Sequence, residues 1–404
     1  MSKRENFPRR VLISGASVAG LTTAYWLDRF GFDVTLVERA STVRSGGYPI
    51  DVRGTAIGVL EKMSLAPQVR SEHIDSRSMT FVNGHGQVIG TIPPYVVMGN
   101  EIERDVELPR GALTGLIYGF VKESRVTCRF RNSIEALDDD GASVSVLFED
   151  GVREKYDVVI GADGLHSRTR QLAFGPEDKF SHYLGYCFNL FTMPNDLRLA
   201  HEAITYAEPG RAAGMIAVRE SHDVFAFLIF ATENPGPALS RDLIEQRRLT
   251  EAVYAESGWQ VPKLLNAMSN ADDLYFDSVS QIRMSNWAKG RVGLVGDAAY
   301  APSFLSGQGT SLALVGAYVL AGELASHFDP VEGFMAYEKT IRPYVEANQA
   351  LATGQGSHSF FLPRTPEEIE QRDEMLIRSA NGETLGAASE TSVKAYNQLE
   401  LPKY

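Results

Sequence analysis

Cysteine is scarce: Cys128 and Cys187 are the only two in 404 residues, too few for a disulfide framework and in no metal-ligand spacing. Positive charge is also short. Lys plus Arg number 39 against 51 Asp plus Glu, and the net charge of −12 repels phosphate backbones and anionic lipid. Nucleic acid and membrane surfaces are thereby excluded as partners. Long hydrophobic runs are few, and Ser311 to Leu320 is shorter than the roughly 20 residues a bilayer requires. Lys3, Arg4, Arg9 and Arg10 precede an apolar run from Val11 to Leu27 in the manner of a signal peptide. No small-x-small cleavage site follows Leu27, however, and Gly15 and Gly20 divide the run, so a cytoplasmic protein is expected. No two histidines stand four apart and no Gly-x-Ser-x-Gly occurs, which argues against zinc hydrolases and α/β-hydrolases. No metal site is expected.

What is present is a globular composition, 44% apolar and 22% charged, in a chain long enough for two or three domains. Residues 11–38 read as a βαβ unit: Val11-Leu12-Ile13, a turn, a helix carried by Leu21, Ala24, Tyr25 and Leu27, a stop at Gly31, and Val34 to Val37. Asp157 to Ile160 and Arg291 to Val295 are short, nearly all-apolar runs, as strands buried on both faces of a parallel sheet should be. Residues 176–283 differ. Their aromatic and β-forming runs, Tyr183 to Thr192, Ala203 to Tyr206 and Val224 to Thr232, are separated by turn residues and predict an antiparallel sheet. Residues 78–92, turning at Asn83-Gly84, predict a hairpin that joins it. From Pro330 the composition is helical, with interruptions at Gly354, Gly356, Pro363 and Pro366.

Three segments carry chemistry. In the first, Gly15-Ala16-Ser17-Val18-Ala19-Gly20 lies between strand and helix, with Glu38 ending the next strand. A dinucleotide needs backbone N–H groups at a helix start for its pyrophosphate and an acid at the second strand tip for its ribose. Ser17 stands where the fingerprint's second glycine would be. An acid at position 38 suits a free 2′-hydroxyl, and Arg39 beside it is placed either to stack on adenine or to be a solvated charge. The second segment is Gly161-Ala162-Asp163-Gly164, closed by Arg170, and the third is Gly296-Asp297 followed by Gly307, Gly309, Thr310 and Ser311 at a helix start. Free N–H groups and the positive dipole end there suit a partial negative charge.

In this order and at these separations the segments resemble the FAD-dependent aromatic hydroxylases, class A flavoprotein monooxygenases of the para-hydroxybenzoate hydroxylase fold, over residues 10 to 325. The texture is similar to the branch that inactivates tetracycline and tailors polyketides. The fold implied is α/β: a Rossmann-like FAD-binding domain (1–72, 105–175, 284–329), an inserted, mostly antiparallel β-sheet substrate domain (73–104, 176–283), and a C-terminal helical extension (330–404). The activity implied is insertion of one atom of O2 into an aromatic or polycyclic molecule through a C4a-hydroperoxyflavin, with NADPH or NADH as transient reductant, by a monomer or homodimer. The resemblance gives Glu38 the adenosine ribose, Arg110 of Arg-x-x-Leu a place beside the flavin, and Asp297 the ribityl or pyrophosphate portion. By the same resemblance Asp163 serves both FAD and the nicotinamide cofactor.

The stretch from Gly46 through Gly47 to Arg53 resembles the loop beside the isoalloxazine, which makes Asp51 and Arg53 active-site candidates. Aromatic candidates on the inserted sheet are Tyr186, Phe188, Phe191, Tyr206, Phe225 and Phe227, of which Tyr206 and Phe225 join the active-site candidates. The period of two puts Phe225 with Phe227, and Tyr186 with Phe188. Tyr300 stands where the family usually has His, Ser303 and Phe304 where a proline pair is common, and Ser311 where relatives often have Asn. A halogenase of the same fold would carry a Trp-x-Trp pair, and Trp26, Trp259 and Trp287 are isolated. A flavin reductase or dehydrogenase without oxygenation, and a ligand-sequestering protein that keeps the fold, remain as alternatives.

Overall fold

The computed structural model describes residues 9–44, 46–94, 96, 104–233, 242–353, 360–380 and 388–404, and the expected breaks at Gly354 and Gly356 fall outside them. Five strands of one sheet run parallel in the order Val292–Leu294, Val158–Gly161, Arg10–Ser14, Asp33–Glu38 and Thr127–Phe130, with Ala288–Lys289 antiparallel at the edge. Alternation sends Val11 and Ile13 into the large core under the helices Val18–Arg29, Arg110–Lys122 and Gly309–Ser326. Leu12, Val159 and Val292 go the other way, against a small antiparallel sheet of Ile134–Asp139, Val144–Phe148 and Arg153–Tyr156. Burial on both faces is why these strands read as unbroken apolar runs.

The second sheet has seven strands in the order Tyr275–Ile282, Ser181–Pro194, Asp223–Ala231, Arg211–Ile216, Glu202–Glu208, Ser78–Val82 and Val88–Ile92. All its pairs are antiparallel except Glu202–Glu208 with Ser78–Val82, where the hairpin joins. Its two faces bury different partners. Cys187, Phe191, Tyr206, Ala226 and Phe230 pack beneath the helices Leu243–Tyr254 and Val261–Asn270. Tyr186, Phe188, Leu190, Ala212 and Ile229 form the opposite face, toward Tyr48 and Leu305.

Two local readings are corrected. Helix Gly309–Ser326 has 18 residues, longer than the apolar run within it and long enough by length and composition to cross a bilayer, but 72% of it is buried inside the protein. Pro366, expected as a break, is the first residue of helix Pro366–Ala380, where its missing N–H has no intrahelical partner to lose and its fixed φ suits the first turn.

Candidate active site

The three chemistry-bearing segments meet at the carboxyl ends of adjacent parallel strands. Ala162 N–H donates to Ser14 O (2.8 Å) and Val295 N–H to Gly161 O (2.9 Å), which sets the three strand ends side by side. Glycine is required at the junctions. Gly15 has φ +107°, and a Cβ there would lie 2.5 Å from Ala162 O; a Cβ at Gly20 would lie 1.9 Å from Gly15 O. Val18 and Ala19 are buried in the first turn of helix Val18–Arg29, and a Cβ at Gly296 would lie 2.9 Å from Ala19 Cβ. Glu38 reaches this loop: its carboxylate accepts from Ala16 N–H at 2.8 Å and Ala40 N–H at 2.9 Å. Arg39 is exposed.

Arg110 opens helix Arg110–Lys122 and donates to Ser17 Oγ at 3.0 Å. It also hydrogen-bonds Tyr48, which packs against both the large core and the aromatic face of the second sheet. Burial raises the Tyr48 phenol pKa, Arg110 opposes the rise, and Asp297 and Asp277 add to it. A Cβ at Gly47, where φ is +131°, would meet the Arg110 side chain at 3.3 Å.

Asp297 lies across from Arg110. Desolvation raises its pKa, Arg110 opposes this, and its carboxylate accepts no hydrogen bond from the described residues. The space a side chain at Gly309 would fill is bounded by Asp297 Oδ1 at 3.7 Å, and that at Gly307 (φ +64°) by Asp51 Oδ2 at 3.7 Å. Helix Gly309–Ser326 makes its first intrahelical bond from Leu312 N–H to Gln308 O (3.0 Å), so the N–H groups of Gly309, Thr310 and Ser311 precede the helical ladder. A carboxylate with no hydrogen bond from the described residues, a glycine-lined space and a row of helix-start donors fit a ligand carrying hydroxyls and a polarised carbonyl edge.

Asp51 and Arg53 adjoin this space. Their side chains form an ion pair of 2.8 Å, Arg53 N–H donates to Ser311 Oγ at 3.1 Å, and Arg53 Nη1 to the Tyr396 hydroxyl at 3.4 Å. Burial opposes the Arg53 charge, but Asp51, Tyr396 and Asp105 outweigh it and hold the guanidinium pKa above its usual value.

Not every candidate arrives here. Tyr206 and Phe191 sit on the helix-covered face of the second sheet, Tyr206 beside Trp259 at 6.0 Å between ring centroids. Each is one residue out of phase with the face that looks toward Tyr48. Phe225 and Phe227 are half-buried on that face with Tyr186 and Phe188, and Phe304 stacks on Phe188 at 4.9 Å and 13°. Asp163 is occupied at home: Ser167 Oγ (2.5 Å), Thr169 N (2.9 Å) and Thr169 Oγ1 (2.9 Å) all donate to it at the start of helix Arg168–Phe174. Tyr300 turns into the core, where its hydroxyl accepts from Tyr337 at 3.0 Å.

One cluster has no local sequence signal, because its members lie on different elements. His166 joins Glu177 (2.8 Å) and Asp277 (3.2 Å), while Arg170 holds the other oxygen of Glu177 at 2.8 Å and Tyr275 donates to Asp277 at 2.7 Å. Hydrogen bonds to Asp277 and Glu177 push the His166 pKa up to about 10. A folded-state pKa above the ordinary 6.5 gives a stabilisation that is full below about pH 6.5 and lost as pH rises through about 10. The melting temperature should therefore fall more steeply between those values for the wild type than for His166→Gln; parallel curves would deny the ion pairs any part in stability.

A parallel sheet whose strand ends carry a glycine turn, an acid at the second strand tip and a second helix start defines a dinucleotide-binding protein. Residues 9–352 match the family model of the FAD binding domain. A flavin-dependent monooxygenase from an unknown prokaryotic organism is 37% identical over 397 residues, 98% of this chain and 99% of its own length. An uncharacterized protein of Mycobacterium tuberculosis is 42% identical over 354 residues, 85% of this chain and 93% of its own. The crystal structure of tetracycline destructase Tet(55) superposes with a TM-score of 0.83 at 36% identity, covering 98% of this chain and 99% of that one. The chain belongs to the FAD-binding family of flavin-dependent monooxygenases.

Proposed function

We propose that this monooxygenase draws electrons from NADH or NADPH and inserts one atom of O2 into an aromatic or polycyclic, polyketide-like molecule held between the three strand ends and the second sheet. The observation that carries the reading is Asp297, a desolvated carboxylate that accepts no hydrogen bond from the described residues, beside the glycine-lined start of helix Gly309–Ser326. When bound, FAD supplies the redox and oxygen-transfer chemistry. The backbone of Gly15, Ser17, Val18, Ala19 and Gly20 holds its pyrophosphate, Glu38 its adenosine ribose, and Arg39 its adenine face. Arg110 and Asp297 hold the ribityl and pyrophosphate region, while Gly307 keeps the space beside it open and Gly309, Thr310 and Ser311 turn N–H groups toward the pyrimidine edge. Asp163 acts through the loop that its three hydrogen bonds tie down, and Asp51 with Arg53 borders the reacting side.

Opposite them, the half-buried Phe225 and Phe227, with Tyr186 and Phe188 packed into the same face, offer an apolar surface that orients the substrate ring and excludes water. The name tetracycline destructase, borne by a structural neighbour, supports a polycyclic substrate class. Residues 1–72, 105–175 and 284–329 then form the cofactor domain, 73–104 and 176–283 the substrate domain, and 330–404 an extension. The purified protein should be yellow. Substrate-stimulated NAD(P)H oxidation under ¹⁸O2 should yield a product heavier by one labelled oxygen. Turnover without label incorporation would make the protein a reductase, and a colourless protein that takes up no FAD would make it a ligand-sequestering relative.

A further inference from the structure

Strands Pro49–Val52 and Val106–Pro109 form a two-stranded ribbon of their own, in a register that sets Asp51 opposite Glu107. Ile50, Val52, Val106 and Leu108 turn into the large core, so alternation puts both acids on the other face. Directly opposed residues of an antiparallel pair have Cβ atoms roughly 4.5–5.5 Å apart, close enough for two carboxylates to repel. Arg53 is the cation beside Asp51, at 2.8 Å, and its charge also reaches Glu107. Asp105, whose Oδ1 accepts from Gly54 N–H at 3.0 Å, adds a third carboxyl group near that guanidinium. Among the described residues three acids stand around this one buried base, and a proton on one of them relieves their mutual repulsion.

We propose that Glu107 is a positioning residue for the cofactor: by holding or releasing a proton on the ribbon, it sets how much negative charge stands behind the Asp51–Arg53 pair at the helix start of Gly309–Ser311. This rests on the reading that FAD lies against that helix start. The connection is short, since Arg53 N–H binds Ser311 Oγ at 3.1 Å and Asp51 Oδ2 bounds the space beside Gly307. Glu107 is the acid best placed to carry the proton. Burial first and Asp51 second raise its pKa to about 7, against a hydrogen bond from Ser76 and the charge of Arg53. The neighbouring segment contributes His73, whose Nδ1 accepts from the Glu107 backbone N–H at 3.1 Å. From helix Ala388–Tyr396, Tyr396 faces Arg53, whose Nη1 donates to its hydroxyl.

The test is the midpoint potential of bound FAD, followed spectroelectrochemically across pH in the intact holoenzyme. The wild type should show an additional bend centred near pH 7, the potential falling more steeply above it because a new negative charge disfavours electron uptake. Glu107→Gln should lack the bend, and Asp51→Asn should move it to lower pH by removing the acid that raises Glu107. Glu107→Asp keeps a titrating group on the ribbon and should retain a bend even if the glutamine variant folds poorly. A yellow wild type without the bend, or a bend that persists in Glu107→Gln, overturns this inference alone. A wild type that takes up no FAD overturns the flavin reading and this inference with it.

Discussion

Replacing Arg170 by alanine is expected to lower stability by about 3–5 kcal/mol and to strip the protein of FAD in the same step. Arg170 is fully buried, and its guanidinium is shared among three acceptors: Ala298 O at 3.0 Å, Leu165 O at 2.7 Å and Glu177 Oε2 at 2.8 Å. Leu165 belongs to the segment after Asp163, and Ala298 follows Asp297, so one side chain ties the second chemistry-bearing segment to the third. Truncation leaves two carbonyl oxygens without their donor and Glu177 with His166 alone, and an unsatisfied buried group costs far more than a surface contact. Lysine should not rescue, because a point charge cannot reproduce a planar fork aimed at three acceptors. Urea unfolding of the FAD-free protein measures the first effect and the flavin-to-protein absorbance ratio the second. A variant with wild-type stability would mean that the segments are joined by other contacts.

Arg170 also illustrates what the sequence disclosed. Its place at the end of the Asp-Gly segment was visible, since the requirements of a strand–turn–helix unit are local. Gly15 and Gly20 are glycines because backbone atoms lie 2.5 Å and 1.9 Å from where a Cβ would stand, and such needs leave a mark within a few residues. The antiparallel sheet was visible through its period of two. Which of its faces looks toward Tyr48 and Leu305 was not, because alternation separates Tyr206 from Phe225 without saying which set the helices cover. That is decided by Leu243–Tyr254 and Val261–Asn270, which claim the Tyr206 face. His166 and Asp277, 111 residues apart, and the opposed Asp51 and Glu107 depend on register between distant elements. Asp163 shows the reverse: a residue conspicuous in its motif spends its carboxylate on capping the next helix.

Asp297→Ala is expected to weaken FAD binding about 10- to 100-fold while leaving the FAD-free protein at least as stable as wild type. The two effects have opposite signs for one reason. In the folded chain the Asp297 carboxylate is desolvated, finds only the partial compensation of Arg110, and accepts no hydrogen bond from the described residues. A partly buried charge with so little compensation is a cost that alanine removes. A ligand hydroxyl donating to that carboxylate turns the cost into a gain, since a hydrogen bond to a charged group is worth about 1.5–3 kcal/mol, or roughly one to two powers of ten in affinity. Asparagine keeps an acceptor without the charge and should fall between alanine and wild type. Flavin titration by fluorescence quenching gives the affinity, and melting of the FAD-free proteins gives the stability. If Asp297→Ala retained its flavin, the carboxylate would have no part in cofactor binding; if the FAD-free variant instead melted well below wild type, Asp297 would be a structural group.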